Sequence, residues 1–293
     1  MPPIINKIAI VKLSAMGDII HSMVALQYIK NRFPKVEIDW VVEASFAQIL
    51  ENNPYIDRIH KIDLKGNGRN KFTVFKQIAR IRKLSKNQYD LVIDAQGLIK
   101  SAVVSRLLKS EIAGFDKESI REKLASKLYT KKVNISYQSN TIDRNAKVLS
   151  APLGFNISNQ DILNKEPLLY FKGEDKAVYE YLSNKRKNIV FIISSTWESR
   201  NYPKRKFANI ANELKENCLV VWNGDEEKEK AQWIEDNSPF AKIAPKMNLD
   251  MLKAFIAKSD LLIGNDTGPT HMAWALNVPS ITIFGPTPIN RTY

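Results

Sequence analysis

The sequence predicts an α/β protein made of two doubly wound parallel-sheet domains, and three observations carry that prediction. At 293 residues the chain exceeds what one hydrophobic core usually organises, which favours two domains of roughly 150 residues. Short apolar runs alternate with segments of helical periodicity, the pattern of right-handed βαβ units. The alternation lapses over 150–185 and then restarts, which sets a boundary near residue 160 and assigns 1–160 and 161–293 to the two domains.

In the first series, "KIAIVKL" (7–13) reads as a buried strand and "DIIHSMVALQYIKNRF" (18–33) as a helix that ends before Pro34. "EIDWVVE" (37–43) is the next strand, followed by helical "SFAQILENN" and then by "IDRIHKIDL". A basic helix is expected over 72–86, then "YDLVIDAQG" (89–97), the helix "LIKSAVVSRLL" and the short strand "EIAGF". The second series opens at "NIVFIIS" (188–194) and runs through "CLVVWNG", "DLLIGND" and "SITIFGPT", with helical patterns between. Two such domains are expected to face each other across a cleft lined by the carboxyl ends of both sheets, where α/β proteins bind ligands.

Composition narrows the function classes. With 44% hydrophobic residues and no low-complexity tract the chain is folded, and no apolar run reaches the roughly 18–20 residues that span a bilayer. "MPPIINKIAIVKL" is too short and wrongly flanked for a signal peptide. A single cysteine, Cys218 in "CLVVW", excludes an internal disulfide framework and fits a cytosolic protein. Charge is uneven: residues 1–160 carry +12 and residues 161–293 only +1. Between Arg58 and Lys86 ten bases meet one acid, Asp63, which reads either as a solvated face or as a surface for an anionic partner.

Four stretches carry candidate chemistry. In "VKLSAMGDIIHSM" (11–23), Asp18 stands where a strand-to-helix loop enters a helix, so it is either a helix cap or a general base. In "DLLIGNDTGPTHMAWA" (260–275), Gly268 permits close backbone approach, Pro269 suits a first helical position, and the helix start offers unpaired amides and a favourable dipole to a diphosphate. Thr267, Thr270 and His271 add donors there, while Asp266 or Thr267 can equally be an ordinary cap. "IISSTWESRNYPKRKF" (192–207) places the hydroxyls and amides of Ser194, Ser195 and Thr196 at a strand end, with Arg200, Lys204, Arg205 and Lys206 as cations for a leaving diphosphate, or is simply a serine-rich loop before a basic helix. In "VVWNGDEEKEKA" (220–231), an acid at the helix start can accept from ribose hydroxyls or simply favour the helix dipole. No G-x-G-x-x-G, P-loop, Asp-x-Asp or clustered metal-ligand spacing occurs, and the three histidines, His21, His60 and His271, lie far apart in sequence.

"VKLSAMGDIIHSMVAL", "IDWVVEASFAQI", "YDLVIDAQGLIKSA", "PKMNLD", "GNDTGPTHMAWAL" and "ITIFGPT" together resemble lipopolysaccharide heptosyltransferase I, a group of inverting enzymes in glycosyltransferase family 9. The resemblance spans residues 7–287 and implies a GT-B architecture of two Rossmann-like domains. It implies transfer of L-glycero-D-manno-heptose from ADP-heptose to the inner Kdo of Kdo–lipid A, without a metal or other cofactor, in assembly of the lipopolysaccharide inner core. Asp18 then matches the general base that deprotonates the attacking Kdo hydroxyl. Asp266, Thr267, Gly268, Pro269, Thr270 and His271 match the donor loop, and Ser195, Thr196 and Arg200 the phosphate contacts. Glu227 matches the ribose contact, with Glu226 the alternative, and Lys246 and Met247 match positions beside the adenine. Lys61, Lys65, Arg69, Gln96 and Arg121 fall where the family receives its anionic acceptor.

The resemblance also implies a monomer on the cytoplasmic face of the Gram-negative inner membrane, touching anionic lipid peripherally and binding no nucleic acid. Two departures stand out. Arg200 replaces the lysine usual at its position, and the chain stops at Tyr293, soon after "FGPT", where family members continue with further helices, so the second domain is expected to be truncated. The remaining alternatives are a heptosyltransferase of type II, an inactive ADP-binding module, and a basic nucleic-acid-binding protein. The last is disfavoured by a basic segment whose aromatics are only Phe72 and Phe75.

Overall fold

The structure, a computed structural model, describes residues 5–64, 71–286 and 289. The chain divides into two compact units, Met1–Lys165 and Glu166–Ile289. The division falls a few residues after the boundary expected near residue 160 and before the second series opens at 188.

The N-terminal unit is organised by β1 (Lys7–Val11), an apolar strand in which Ile8, Ala9, Ile10 and Val11 are all fully buried. Each large aliphatic side chain so buried contributes about 1.5–3 kcal/mol relative to exposure. After β1 come α1 (Met16–Ser22), α2 (Val24–Arg32) and β2 (Glu37–Glu43), then β3 (Arg58–Ile62) and α3 (Lys71–Lys83). The unit continues with β4 (Leu91–Asp94), α4 (Ile99–Leu107), β5 (Ile112–Phe115), β6 (Lys131–Val133), α5 (Thr141–Ser150) and α6 (Asn159–Leu163). The six strands form one sheet in the order β3-β2-β1-β4-β5-β6, every pairing parallel.

Two local differences from the sequence reading have physical causes. The single helix expected over 18–33 is broken at Met23, where the Ser22 hydroxyl donates to the Asp18 carbonyl at 2.7 Å. Such back-bonding by serine competes with the helix ladder. The segment "SFAQI" forms a 3₁₀ turn (Ala44–Ile49) in place of a regular helix. The strand β6 and helix α5 had no counterpart in the sequence reading, although Asn140 caps α5 by accepting from the Ile142 amide at 2.8 Å.

The C-terminal unit repeats the plan with β7 (Asn188–Ile192), α7 (Lys204–Leu214), β8 (Asn217–Val221), α8 (Asp225–Asp236), β9 (Ala241–Ile243), α9 (Leu249–Ala257), β10 (Leu261–Asn265), α10 (Gly268–Ala275) and β11 (Ser280–Ile283). Its sheet runs β11-β10-β7-β8-β9, again wholly parallel. Phe191, Phe207, Cys218, Val220, Ala231 and Ile234 are buried at its centre, where the Phe191 and Phe207 rings lie 5.4 Å apart.

Both sheets have a topological switch point, between β1 and β4 in the first unit and between β7 and β10 in the second. Loops leaving adjacent strands diverge there to opposite faces, which opens a crevice at the carboxyl ends.

Candidate active site

At the first switch point the loop after β1 leads into α1, whose first turn carries Asp18, and the loop after β4 carries Gln96. Asp18 is half-buried in the first turn of α1, and its Oδ2 accepts from the Ala15 amide at 3.3 Å. It therefore does cap the helix, and its remaining acceptor capacity lies at the sheet's carboxyl end. Gln96 clamps this loop, because its Oε1 accepts from the Leu13 and Ser14 amides, each at 3.0 Å. One half of its amide is thus spent on positioning the loop, and the NH₂ group is the half left to meet a ligand.

Gln96 is itself fixed by Asp94. That buried carboxylate accepts from the Gln96 amide at 2.9 Å, the Gly97 amide at 3.1 Å, the Ser101 hydroxyl at 2.9 Å and the Tyr129 hydroxyl at 2.7 Å. Burial pushes the Asp94 carboxyl up, against the pull of these four donors. Gly97 has φ +73°, and a Cβ there would come within 3.1 Å of Ile120 and 3.2 Å of Phe115, so both conformation and space call for glycine. The neighbour of Ile120 is Arg121, which is exposed, and Glu122 Oε2 accepts from the Ile99 amide at 2.6 Å. These contacts hold the Arg121 segment against the start of α4.

Lys61 stands at the same end of the sheet but on the edge strand β3, where its ammonium pairs with Glu51 at 2.7 Å. The pair is exposed and worth at most about 1 kcal/mol. Lys65 and Arg69 lie outside the described residues. On α3 and just beyond it, Lys76, Arg80, Arg82, Lys83 and Lys86 are exposed, and none forms an ion pair among the described residues.

In the C-terminal unit the predicted donor residues leave four neighbouring strands at one end of the sheet: Ser195 and Thr196 after β7, Glu227 after β8, Lys246 and Met247 after β9, and Asp266–His271 after β10. Asp266 is 6% exposed, and its two carboxylate oxygens take different partners. Arg200 Nη1 lies 3.3 Å from Oδ2 and His271 Nε2 lies 3.3 Å from Oδ1. The loops after β7 and β10 are thereby joined by charge. They are also joined by Asn265, whose Oδ1 accepts from the Tyr202 amide at 2.8 Å. The "FGP" turn closes on the same place, since a Cβ at Gly285 would lie 2.8 Å from the Ser199 carbonyl oxygen.

The helix start at α10 is narrower in donors than the sequence suggested. Pro269 has no amide hydrogen, and the Thr270 and His271 amides turn back to the Thr267 carbonyl at 3.1 and 3.4 Å. The amides of Thr267 and Gly268 are those left without a backbone acceptor among the described residues. Thr270 is also not an exposed donor: it is 1% exposed and its hydroxyl donates to the Asn265 carbonyl at 2.6 Å. Its side chain braces the loop. Gly264 makes this packing possible, because a Cβ there would meet Thr270 Oγ1 at 2.6 Å and Ile192 Cβ at 2.7 Å.

Ser195 is half-buried, its amide donating to Asn201 Oδ1 at 2.7 Å and its hydroxyl to the Trp197 carbonyl at 2.9 Å, while Thr196 is exposed. Of the two acids at the start of α8, Glu226 pairs with Lys230 at 2.6 Å on the exposed face. Glu227 instead turns to the loop, accepting from the Asn223 amide at 2.8 Å, and burial pushes its carboxyl up. Lys246 is exposed and Met247 half-buried; the indole of Trp222, donating to the Ala244 carbonyl at 2.8 Å, ties their loop to that of Glu227. Lys204, counted among the phosphate cations, lies 4.8 Å over the Trp233 ring instead.

The residues that sequence reasoning missed are mostly amides and one buried cation: Asn201 and Asn265 in the second unit, Lys12 and Asn145 in the first. Lys12 had a visible signal, a lysine ending an otherwise apolar strand, whereas the asparagines had none. Among the described residues no three His, Cys, Asp or Glu side chains gather as a metal-holding group, and no helix is long and apolar enough to cross a membrane.

Known proteins share both sequence and fold with this chain. It is 39% identical to lipopolysaccharide heptosyltransferase 1 of Campylobacter coli, over 97% of this chain and 85% of that one. Identity to lipopolysaccharide heptosyltransferase 1 of Escherichia coli (strain K12) is 29%, over 96% and 88% of the two chains. The solved structure of E. coli heptosyltransferase WaaC with ADP-2-deoxy-2-fluoro heptose superposes with a TM-score of 0.80 at 27% identity, covering 98% of this chain and 92% of that one. Residues 78–293 match the model of glycosyltransferase family 9 (heptosyltransferase). With two wholly parallel α/β units that have the fold of the GT-B heptosyltransferases, this chain belongs to glycosyltransferase family 9.

Proposed function

We propose that this chain transfers L-glycero-D-manno-heptose, with inversion, from ADP-heptose to the inner Kdo of Kdo–lipid A. The reading is supported by relatives named heptosyltransferase 1 at 39% and 30% identity, and by a WaaC structure that holds an ADP-heptose analogue. The type II enzyme of E. coli is a fold-level neighbour at 20% identity, so the first-heptose reaction is preferred.

The observation that carries the mechanism is the placement of Asp18 at the carboxyl end of the N-terminal sheet, in a loop clamped by Gln96. Asp18 removes the proton from the attacking Kdo hydroxyl as the new oxygen–carbon bond forms and the bond to ADP breaks. The departing diphosphate is met by Arg200, the amides of Thr267 and Gly268, and the hydroxyl of Thr196, while Ser195, held to Asn201 and Trp197, shapes that loop. Asp266, fixed between Arg200 and His271, accepts from the heptose hydroxyls, with Pro269 and Thr270 shaping its loop. Glu227 accepts from the ribose, and Lys246 and Met247 flank the adenine. No metal is required in this scheme, because the cations and the helix start supply the neutralising charge.

The anionic acceptor is received by the N-terminal unit through Lys61, Lys65, Arg69, Arg121 and the NH₂ group of Gln96. The basic surface of α3 rests on anionic lipid at the cytoplasmic face of the inner membrane, and the enzyme acts as a monomer without nucleic acid.

A turnover assay with ADP-heptose and Kdo–lipid A tests the reading. A general base contributes about 10²- to 10⁴-fold in rate, so Asp18→Asn should lower kcat by that factor and leave ADP affinity intact. Asparagine keeps the capping oxygen, which separates proton removal from helix capping. Unchanged turnover in the variant would overturn the assignment, and preference for an already heptosylated acceptor would reassign the enzyme to the second heptose.

A further inference from the structure

Three elements cover one face of the N-terminal sheet. The connections from β3 to β4, β4 to β5 and β5 to β6 all advance the same way across the strand order, so right-handed crossovers put α3, α4 and the 3₁₀ turn Lys123–Leu128 on one side. α4 packs against both α3 and the turn, and Glu122 Oε2, accepting from the Ile99 amide at 2.6 Å, fastens the turn to the start of α4. None of the three contains an Asp or Glu, whereas α3 has five Lys and Arg, and α4 and the turn two each.

The same face carries apolar surface. Among the described residues of the N-terminal unit five large hydrophobic side chains are exposed, and four of them stand here. They are Phe75 on α3 (68% exposed), Ile99 and Val103 on α4 (44% and 45%) and Leu124 on the turn (62%). Ile99 and Val103 are one helical turn apart and share a side of α4. Around the four, Lys76, Arg80, Lys83, Arg106, Lys123 and Lys127 are exposed, and Lys123 reaches Glu118 only loosely, at 3.8 Å. Each element follows the carboxyl end of a strand. Phe75, Ile99 and Leu124, near the element starts, therefore gather at the end of the sheet where Gln96 and Arg121 lie.

A basic surface alone suits any polyanion, and apolar side chains alone suit another protein. Large apolar side chains ringed by bases suit the surface of an anionic bilayer, where phosphates meet the cations and the apolar groups leave water. We propose that this face docks on an anionic lipid bilayer, with Phe75, Ile99, Val103 and Leu124 entering the boundary between headgroups and acyl chains. The inference deepens the reading of a peripheral lipid contact by α3 and rests on it. Contact through charge becomes insertion, and its area widens from α3 to α4 and the turn. Docked in this way, the carboxyl end of the sheet lies at the membrane surface, where Gln96 and Arg121 meet an acceptor whose acyl chains stay in the bilayer.

The test is partitioning of the protein onto sedimented vesicles that contain no acceptor. Wild type should bind vesicles of mixed phosphatidylglycerol and phosphatidylcholine and should ignore phosphatidylcholine alone. Val103→Ser combined with Leu124→Ser keeps every charge, and should lower partitioning about tenfold with an unchanged salt dependence. Arg80→Gln combined with Lys83→Gln should lower it about thirtyfold and flatten the salt dependence. Wild-type binding by the serine double variant would overturn insertion and leave only the charge contact of α3. Failure of wild type to bind anionic vesicles would remove that contact and this inference together.

Should the serine variants fail to fold, a fluorescent label decides. An environment-sensitive fluorophore on Leu124→Cys should shift to the blue on anionic vesicles. The same label on Leu163→Cys should not, since that leucine is 74% exposed on α6, which Tyr28 of α2 ties to the other side of the sheet through the Asp161 carbonyl. Cys218 is buried and stays unlabelled. Equal spectra at the two positions overturn the proposal. So does a blue shift at Leu124→Cys that grows with protein concentration in the absence of lipid, which would give the patch to a second copy of this chain. Neither measurement involves ADP-heptose, so loss of the heptosyl-transfer reading would leave the lipid result standing.

Discussion

In the N-terminal unit the loops at the switch point are tied together by buried side chains that reach backbone: Gln96 to Leu13 and Ser14, Lys12 to Ala95, Asp94 to Gln96 and Gly97. In the C-terminal unit the corresponding loops meet through the ion pair of Arg200 with the buried Asp266 and through the buried Asn265, while Ser195, Arg200, Thr267 and Gly268 around the pair are half-buried. The first arrangement holds one carboxylate in place at the cost of burying an ammonium and a second carboxylate. The second gathers a half-buried guanidinium and the amides of Thr267 and Gly268 around a single buried carboxylate. Under the proposed roles the contrast matches two tasks. A proton acceptor must be oriented within a fraction of an ångström, whereas a diphosphate is held by summed charge that tolerates small displacements.

Substitutions in the two loops should separate these tasks. The largest effect belongs to Asp18→Asn, which strikes kcat by about 10²- to 10⁴-fold and spares nucleotide affinity. Asp266→Ala should do the reverse. It frees Arg200 and His271 from their carboxylate and removes the proposed sugar contact, so donor affinity should weaken by about ten- to a hundredfold, close to 1.4–2.8 kcal/mol. Titration calorimetry with ADP-heptose analogues reads this directly. If Asp266→Ala bound donor normally and lost only kcat, the division of labour between the loops would be wrong.

A third substitution asks whether buried polar networks in the N-terminal unit serve chemistry or only stability. Asp39, in the amino-terminal half of β2, is fully buried and accepts from His60 at 2.7 Å and Tyr89 at 2.7 Å. Burial pushes its carboxyl up, but the hydrogen bonds from His60 and then Tyr89 outweigh burial and hold it below its ordinary value. A depressed carboxyl stabilises the fold at all pH values above the unfolded value, near 4, and that stability is lost as pH falls through the folded one. Asp39→Asn should therefore lower stability by about 2 kcal/mol at pH 7 in urea unfolding, and the gap to wild type should close below pH 4. kcat and KM should not change. A kinetic effect would mean that the polar core communicates with the strand-end loops.

How much of this was visible in the chain differs between the two units for physical reasons. The strands of both sheets are short apolar runs, and burial on both faces of a parallel sheet writes itself into sequence directly. The strand-to-helix junctions of the C-terminal unit were legible because glycine, proline and acid residues there have few other uses. The bracing was not legible. Asn145 and Asn265 act through side-chain hydrogen bonds that depend on which helix or strand lies opposite, and no local pattern encodes that. The break at Met23 has the same origin, since the Ser22 hydroxyl chose a carbonyl one turn back over solvent. Thr270 was misjudged because a hydroxyl in a helix start looks the same in sequence whether it faces a ligand or its own backbone.

Cys218 offers a probe of the C-terminal unit alone. It lies on β8 with no exposure, and burial, followed by the charge of Glu216, pushes its thiol up to about 12. At pH 8 only about one molecule in ten thousand would carry the reactive thiolate, so a disulfide reagent should modify it only when the strand is exposed by opening of the unit. Nucleotide bound to that unit lowers the open population by the factor 1 + [ADP]/Kd, which slows modification about tenfold at ten times Kd. Asp18→Asn should show the same protection as wild type, and Asp266→Ala should require proportionately more ADP-heptose. Modification that is fast in the folded protein would place Cys218 outside the core, and modification that ADP does not slow would remove the nucleotide from the C-terminal unit.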